Sequence, residues 1–263
     1  MSEIIIEFIA VSGSGKTYIS ELLVKFLAQE PLLNNTIIYS ASDLWKAMGL
    51  TRSKILNKGI RIIERIRCLF SMPVLKLLIS ILFSGIGFMK SIRKIIYYLG
   101  IINLYRIMRR IKKLNRHCKP IFILDEGIFH ASEIFISSAS DKIPYDFLHK
   151  YEKTINSIKY IQYQDFVKIF IFVESATEVN FERLDKRSEG WPILLRHLSK
   201  KGRMKALDDF QVKVDSIKNY IADSRFLCFT INNSVDDTSS PDKFDRVFNT
   251  VRQAIIEEVI RQA

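Results

Sequence analysis

The chain has 263 residues, is 48% apolar and carries a formal net charge of +12, enough apolar material for one large α/β domain or two small ones. Its three cysteines, Cys68, Cys118 and Cys228, are scattered without ligand spacing, which excludes a disulfide framework and a structural zinc and points to a reduced, cytoplasmic protein. The opening MSEIIIEFIA puts an acid where a secretory leader carries positive charge, so export is not expected.

Ile4 to Ile9 form an apolar run that ends at a glycine-rich turn, and Ile19, Leu22, Leu23, Phe26 and Leu27 follow at helical spacing, predicting strand, loop, helix. The turn is AVSGSGKT, Ala10 to Thr17, which has Walker A spacing except that alanine stands at the first glycine. Such a loop turns sharply so that successive N–H groups point at phosphate oxygens, and Gly13 and Gly15 remove side chains that would obstruct them. Gly13, Ser14, Gly15, Lys16 and Thr17 are therefore the candidate nucleotide contacts. Lys16 supplies a cation for the β- and γ-phosphates, Thr17 a hydroxyl for Mg²⁺, and the following helix its positive end.

A second strand is predicted at Thr36 to Ser40, followed by Asp43 in SASDLW. Asp43 reads in two ways, as the acceptor of a substrate hydroxyl proton or as the N-cap of a helix starting near Leu44. Residues 52–119 then hold 17 Lys and Arg against Glu64, a sum of +16, while the rest of the chain sums to −4. Lys54, Lys58, Arg61 and Arg65 make one basic stripe beside the apolar Ile62, Ile63, Ile66, Leu69 and Phe70. Arg106, Arg109, Arg110, Lys113 and Arg116 make a second. Between them, Cys68 to Met89 is apolar apart from Lys76 and a few serines.

That stretch approaches the length of a membrane span, but one crossing would separate the second and third strands across the bilayer, so a single span is rejected. Three readings stay open for the basic insertion: a soluble helical subdomain over an acceptor site, peripheral contact with an anionic membrane surface, and nucleic-acid binding. The last is disfavoured because Tyr97, Tyr98 and Tyr105 interleave the charges too sparsely.

A third strand, Ile121 to Leu124, ends in Asp125-Glu126-Gly127, the arrangement of a Walker B segment; Asp125 is the candidate metal ligand and Glu126 a candidate catalytic carboxylate. The fourth strand is Val167 to Val173. On the helix after it, Arg183 and Arg187 stand four apart, so both would project from one face, either as a lid over transferring phosphates with Gly190-Trp191-Pro192 as a hinge or, with Glu182 and Asp185 close by, as part of an ordinary solvated helix. Arg225 to Ile231 reads as the fifth strand, and Asn232 and Asn233 follow where a nucleotide base is expected or where the chain simply turns; Asn232 is taken as a nucleotide contact. The last helix starts with Ser240 as N-cap, then Pro241 and Asp242, and puts Phe244, Val247, Phe248, Val251, Ile255 and Val259 on one face.

On AVSGSGKT, the strand ending in DEG, the arginines of ERLDKR and the order of elements, the chain resembles the P-loop kinases of small molecules, the nucleoside and nucleoside monophosphate kinase group that includes thymidylate-kinase-like proteins. SASDLW is also similar to the aspartate segment of uridine-kinase-type enzymes. The resemblance implies a three-layer α/β P-loop NTPase fold and a mostly parallel five-stranded sheet in the order 2-3-1-4-5. It implies ATP as donor, and acceptor binding by the helical region between strands two and three. The expectation is one kinase domain over 1–263, using ATP and Mg²⁺ to phosphorylate an unidentified small molecule, a nucleoside or nucleotide first. Lys16, Thr17 and Asp125 would hold the donor, Arg183 and Arg187 close over it, and Asp43 or Glu126 position the acceptor. A membrane-surface kinase of a glycan- or lipid-linked acceptor, and an NTP hydrolase that switches a protein or nucleic-acid partner, are the alternatives. A second copy of the chain is a further candidate partner.

Overall fold

A computed structural model of the protein describes residues 3–34, 36–47, 71–82, 88–115, 118–135, 142–159, 161–188, 190–192, 195–224, 226–234 and 244–261. The first basic stripe, Cys68, Arg116 and the Ser240-Pro241-Asp242 start of the last helix lie outside them.

Five strands, β1 (Glu3–Ala10), β2 (Thr36–Ser40), β3 (Lys119–Leu124), β4 (Phe166–Glu174) and β5 (Leu227–Asn232), form one sheet in the order β2-β3-β1-β4-β5. Every adjacent pair is parallel. This is the P-loop NTPase-type α/β arrangement. Among the described residues the helices are α1 (Lys16–Ala28), α2 (Ala41–Ala47), α3 (Met72–Leu82), α4 (Phe88–Leu114), α5 (Tyr145–Asn156), α6 (Thr177–Asp185), α7 (Lys200–Asp223) and α8 (Asp245–Arg261).

Side chains of a strand alternate faces, and here both faces are covered, so the strands read as unbroken apolar runs. In β1, Ile4, Ile6 and Phe8 pack with Ile19 and Leu23 of α1 and Phe248 and Val251 of α8. Ile5 and Ile9 face the other way, into a larger core built with α3, α4, α5 and α7. Glu7 shares that second face and is fully buried.

The insertion is not a separate lobe where it is described. Tyr98, Ile102, Tyr105 and Met108 of α4 are buried in the main core, and Val74, Leu78 and Ile81 of α3 join them. Part of the second basic stripe holds this helix in place: Arg109 pairs with Asp165 at 3.4 Å, and the neighbouring Lys112 pairs with Glu3 of β1. Within the apolar stretch the described helix α3 has 11 residues, about half the length needed to cross a bilayer. Among the described residues no helix is long and apolar enough to cross a membrane.

Candidate active site

At the carboxyl end of β1 the chain turns through Ser12 and Gly13 into α1. Gly13 and Gly15 have φ of +89° and +86°, the left-handed region that glycine enters without penalty. Space forbids a side chain as well. A Cβ on Gly13 would lie 2.6 Å from the Asn180 carbonyl oxygen, and one on Gly15 2.7 Å from Asn233 Nδ2. Alanine at position 10 is accommodated because that residue still belongs to β1, paired with Val173 and buried in the core. Gly15 caps α1 without a side-chain hydrogen bond, and the first turn has no acid, so the helix's N–H groups and positive end stay available to an anion. Ser14 Oγ is buried and has no hydrogen-bond partner among the described residues, a polar atom suited to a phosphate oxygen.

β3 runs beside β1, so its end delivers Asp125 and Glu126 to this loop. Thr17 Oγ1 donates to Asp125 Oδ2 at 3.2 Å, and Lys16 Nζ donates to Glu126 Oε1 at 3.1 Å. A hydroxyl and a carboxylate meeting at the mouth of such a loop suit a hard, oxygen-seeking divalent cation. Lys16 also reaches His130 Nε2 at 3.2 Å, and Tyr97 of α4 donates to the second oxygen of Glu126 at 2.8 Å. Burial alone would raise the Glu126 pKa, but the Lys16 ammonium and the Tyr97 hydrogen bond outweigh it and hold the carboxyl at about 2. Burial, then the Lys16 ammonium, pushes His130 down to about 3 against the pull of Glu126. The ring is therefore neutral at pH 7, with Nε2 accepting from Lys16.

Beside these groups lies a cavity of about 540 Å³ that touches Val11 and Ser12 of the loop, Glu126 and His130. α4 adds Arg93, Lys94 and Tyr97 to its wall, and α7 adds Leu207, Phe210 and Lys213. Pro192 and Leu195 also line it.

The other sequence-predicted residues fall into place unevenly. Arg183 of α6 approaches the Ser14 carbonyl at 3.5 Å, beside the loop. Arg187 does not share its helix face: α6 ends at Asp185, Lys186 caps it, and Arg187 lies past the end, exposed. Asp43 is not the N-cap of α2. Ser40 holds that place, its Oγ accepting from the Asp43 N–H at 3.2 Å while the Asp43 carboxylate accepts from Ser40 Oγ at 2.6 Å and Ser40 N at 3.2 Å. This reciprocal capping box, led by the Ser40 hydroxyl, lowers the Asp43 pKa, and the carboxylate does not line the cavity. Asn232 makes a turn, accepting from the Ser234 N–H at 2.9 Å. The next residue, Asn233, is the one that reaches the loop, donating to the Ser14 carbonyl at 2.7 Å. Trp191 is anchored at the proposed hinge by its indole N–H on Asp185 (3.2 Å) and its ring against Phe181.

The sequence reading missed His130 and Tyr97 as members of the site. His130 stands four residues after Glu126, a spacing that could have drawn attention to it; Tyr97 gave no signal, because its partner lies 29 residues away.

A buried support lies under the DEG turn. Glu7 Oε1 accepts from the hydroxyls of Tyr105 and Tyr163, the latter at 2.9 Å. The Tyr105 hydroxyl in turn accepts from the Ile128 N–H at 3.1 Å, and Tyr151 donates to the Ile128 carbonyl at 2.7 Å. The residue just past the turn is thus held by two tyrosines.

No protein-family model matches the chain. No curated protein matches it either. Among solved structures it is similar to deoxyadenosine kinase from M. mycoides with bound dATP, at 14% identity and a TM-score of 0.43 over 94% of this chain and 99% of that one. The same enzyme with bound dCTP gives 14% and 0.40 over 95% and 100%. TT1252 from Thermus thermophilus gives 16% and 0.41 over 95% and 97%. Identities and TM-scores this low leave the reading of the site to its own geometry.

Proposed function

We propose that the protein is a kinase that moves the γ-phosphoryl group of ATP to a small molecule bound in the cavity beside Glu126. The observation that carries this reading is the meeting of Lys16 with Glu126 and of Thr17 with Asp125, at the edge of a cavity of substrate size. A hydrolase needs room only for water, whereas this cavity falls within the roughly 300–1,000 Å³ of small-molecule sites.

In this reading the main-chain amides from Gly13 to Thr17 and the end of α1 hold the triphosphate, and the Lys16 ammonium exchanges Glu126 and His130 for phosphate oxygens. Thr17 and Asp125 would hold Mg²⁺, which when bound neutralises charge on the phosphates. Arg183, beside the Ser14 carbonyl, adds positive charge on the α6 side of the loop. Once Lys16 turns to the phosphates, Glu126 is left with Tyr97 as its hydrogen-bonding neighbour, facing the cavity where the acceptor sits. Nucleosides and nucleotides are the first acceptors to test, as the family resemblance implies.

Calorimetric titration of MgATP into the wild type and into Lys16→Ala tests the reading. The wild type is expected to bind, and the variant to lose the binding while keeping its circular dichroism and unfolding midpoint. A wild type that is folded and indifferent to every nucleoside triphosphate in magnesium buffer refutes it.

A further inference from the structure

α3 is apolar on more sides than its packing requires. Val74, Leu78 and Ile81 point into the core, and Ser91 Oγ of α4 donates to the Ile81 carbonyl at 3.2 Å, tying the end of α3 to the body. The opposite face carries Met72, Leu75, Lys76 and Ile79, whose i, i+3, i+4, i+7 spacing makes one stripe along the helix. All four are exposed, and Met72, Leu75 and Ile79 are 66%, 38% and 43% exposed. The inner face already seats the helix, so the outer one has no part in the fold. The outward side of a surface helix is ordinarily polar, and a row of three large apolar side chains there marks a surface that meets another apolar phase.

The charge around this stripe has one sign. No acid stands between Glu64 and Asp125 in the sequence, an interval that holds 13 Lys and Arg. Lys76 lies within the stripe, exposed and without an ion pair among the described residues, on a stem long enough to carry its ammonium past the apolar side chains. Whatever covers α3 is therefore negative at its surface and apolar beneath. A second copy presenting the same face would set like charge against like. A nucleic acid brings phosphates but no apolar layer for Met72, Leu75 and Ile79. A bilayer with acidic lipids brings both, phosphates outside and acyl chains below them. With 11 residues α3 is too short to cross that bilayer, so it would lie along its surface.

We propose that α3 docks the protein on an anionic lipid surface, with Met72, Leu75 and Ile79 entering the boundary between headgroups and acyl chains and Lys76 pairing with lipid phosphates. α3 and α4 share one core, and α4 carries Tyr97 to Glu126, so the docking face and the candidate active site belong to one packed body. The inference goes beyond the kinase reading and does not depend on it, because the stripe lines no part of the cavity.

The test sediments the full chain with sucrose-loaded vesicles of phosphatidylcholine, alone or with about 30% phosphatidylglycerol, in about 0.1 M KCl. The wild type is expected to partition onto the acidic vesicles about 100-fold better than onto the neutral ones, and to lose about 10-fold or more of that binding when KCl is raised to about 0.5 M. M72S/L75S/I79S should lower the partition about 30-fold by removing the apolar stripe, and K76E about 30-fold by reversing one charge. Both variants should keep the circular dichroism, unfolding midpoint and MgATP affinity of the wild type, since these side chains face away from core and cavity.

A wild type that stays in the supernatant with acidic vesicles overturns the proposal. So does M72S/L75S/I79S sedimenting as well as the wild type, because the basic segment would then hold the lipid without α3. A dimer seen by analytical ultracentrifugation that M72S/L75S/I79S dissolves would also overturn it, since a second copy would then cover the stripe. Failure of vesicle binding leaves the kinase reading intact, and failure of MgATP binding leaves the docking intact.

Discussion

Gly127 tests whether the DEG turn is seated on Glu7. Its φ lies outside the left-handed region, so the backbone itself would accept alanine. What forbids a side chain is Glu7: a Cβ on Gly127 would stand 2.0 Å from Glu7 Oε2 and 2.5 Å from its Cγ. Glu7 has no room to retreat, being fully buried and tied to the hydroxyls of Tyr105 and Tyr163. Overpacking alone costs about 1–3 kcal/mol, and turning the carboxyl away forfeits hydrogen bonds worth about 1–2 kcal/mol more. Gly127→Ala is therefore expected to destabilise the protein by about 3 kcal/mol, or to lower Tm by about 6–12 °C for a chain of this size. Equilibrium urea unfolding measures it, and the decisive comparison is a double-mutant cycle. With Glu7→Ala already in place the clash is gone, so Gly127→Ala should then cost less than about 1 kcal/mol, a coupling of about 2 kcal/mol. Equal penalties in the two backgrounds, or a penalty below about 1 kcal/mol with Glu7 present, would show that this seat does not exist.

Burial raises the Glu7 pKa above its ordinary value of 4.5, so the folded protein holds this proton more tightly than the unfolded chain and loses stability as pH rises from about 4.5 toward the folded pKa. Glu7→Gln should accordingly flatten stability against pH in that window and match or exceed the wild type at pH 8; a steeper decline in the variant would contradict the account. His130, depressed to about 3, should show no imidazole titration by NMR between about pH 5 and 8, and a midpoint near the ordinary value of 6.5 would mean that the ring is not buried against Lys16. Arg183→Ala should lower phosphoryl transfer about 10-fold or more, while the exposed Arg187→Ala changes it less than about threefold; the reverse order would restore Arg187 to the lid.

Features that depend on neighbouring residues were legible in the sequence. Continuous apolar runs marked all five strands to within two residues, and the loop AVSGSGKT announced its own turn because glycine alone enters the conformation found at Gly13 and Gly15 without strain. The Ser40–Asp43 capping box is equally local, and its three-residue spacing was there to be read. Two misplacements were single-residue matters. α6 ends at Asp185, before Arg187, and the side chain that reaches the loop belongs to Asn233 rather than Asn232, since consecutive residues at the end of a strand point to opposite sides.

Contacts between remote parts of the chain were not legible. Lys16 meets His130 across 114 positions, and Glu7 meets Tyr163 across 156. Spacing carries no information at such separations, because each meeting depends on how α4, α7 and the strands pack together. The sequence by itself therefore determined the strands, the phosphate loop and the carboxylates at the end of β3, through backbone geometry that acts over a few residues. Tertiary packing alone decided that Glu126 stands among Lys16, His130 and Tyr97, and that Arg93, Lys94 and Lys213 share one cavity, because side chains from separate helices are brought together only when the apolar faces beneath them are buried in a common core.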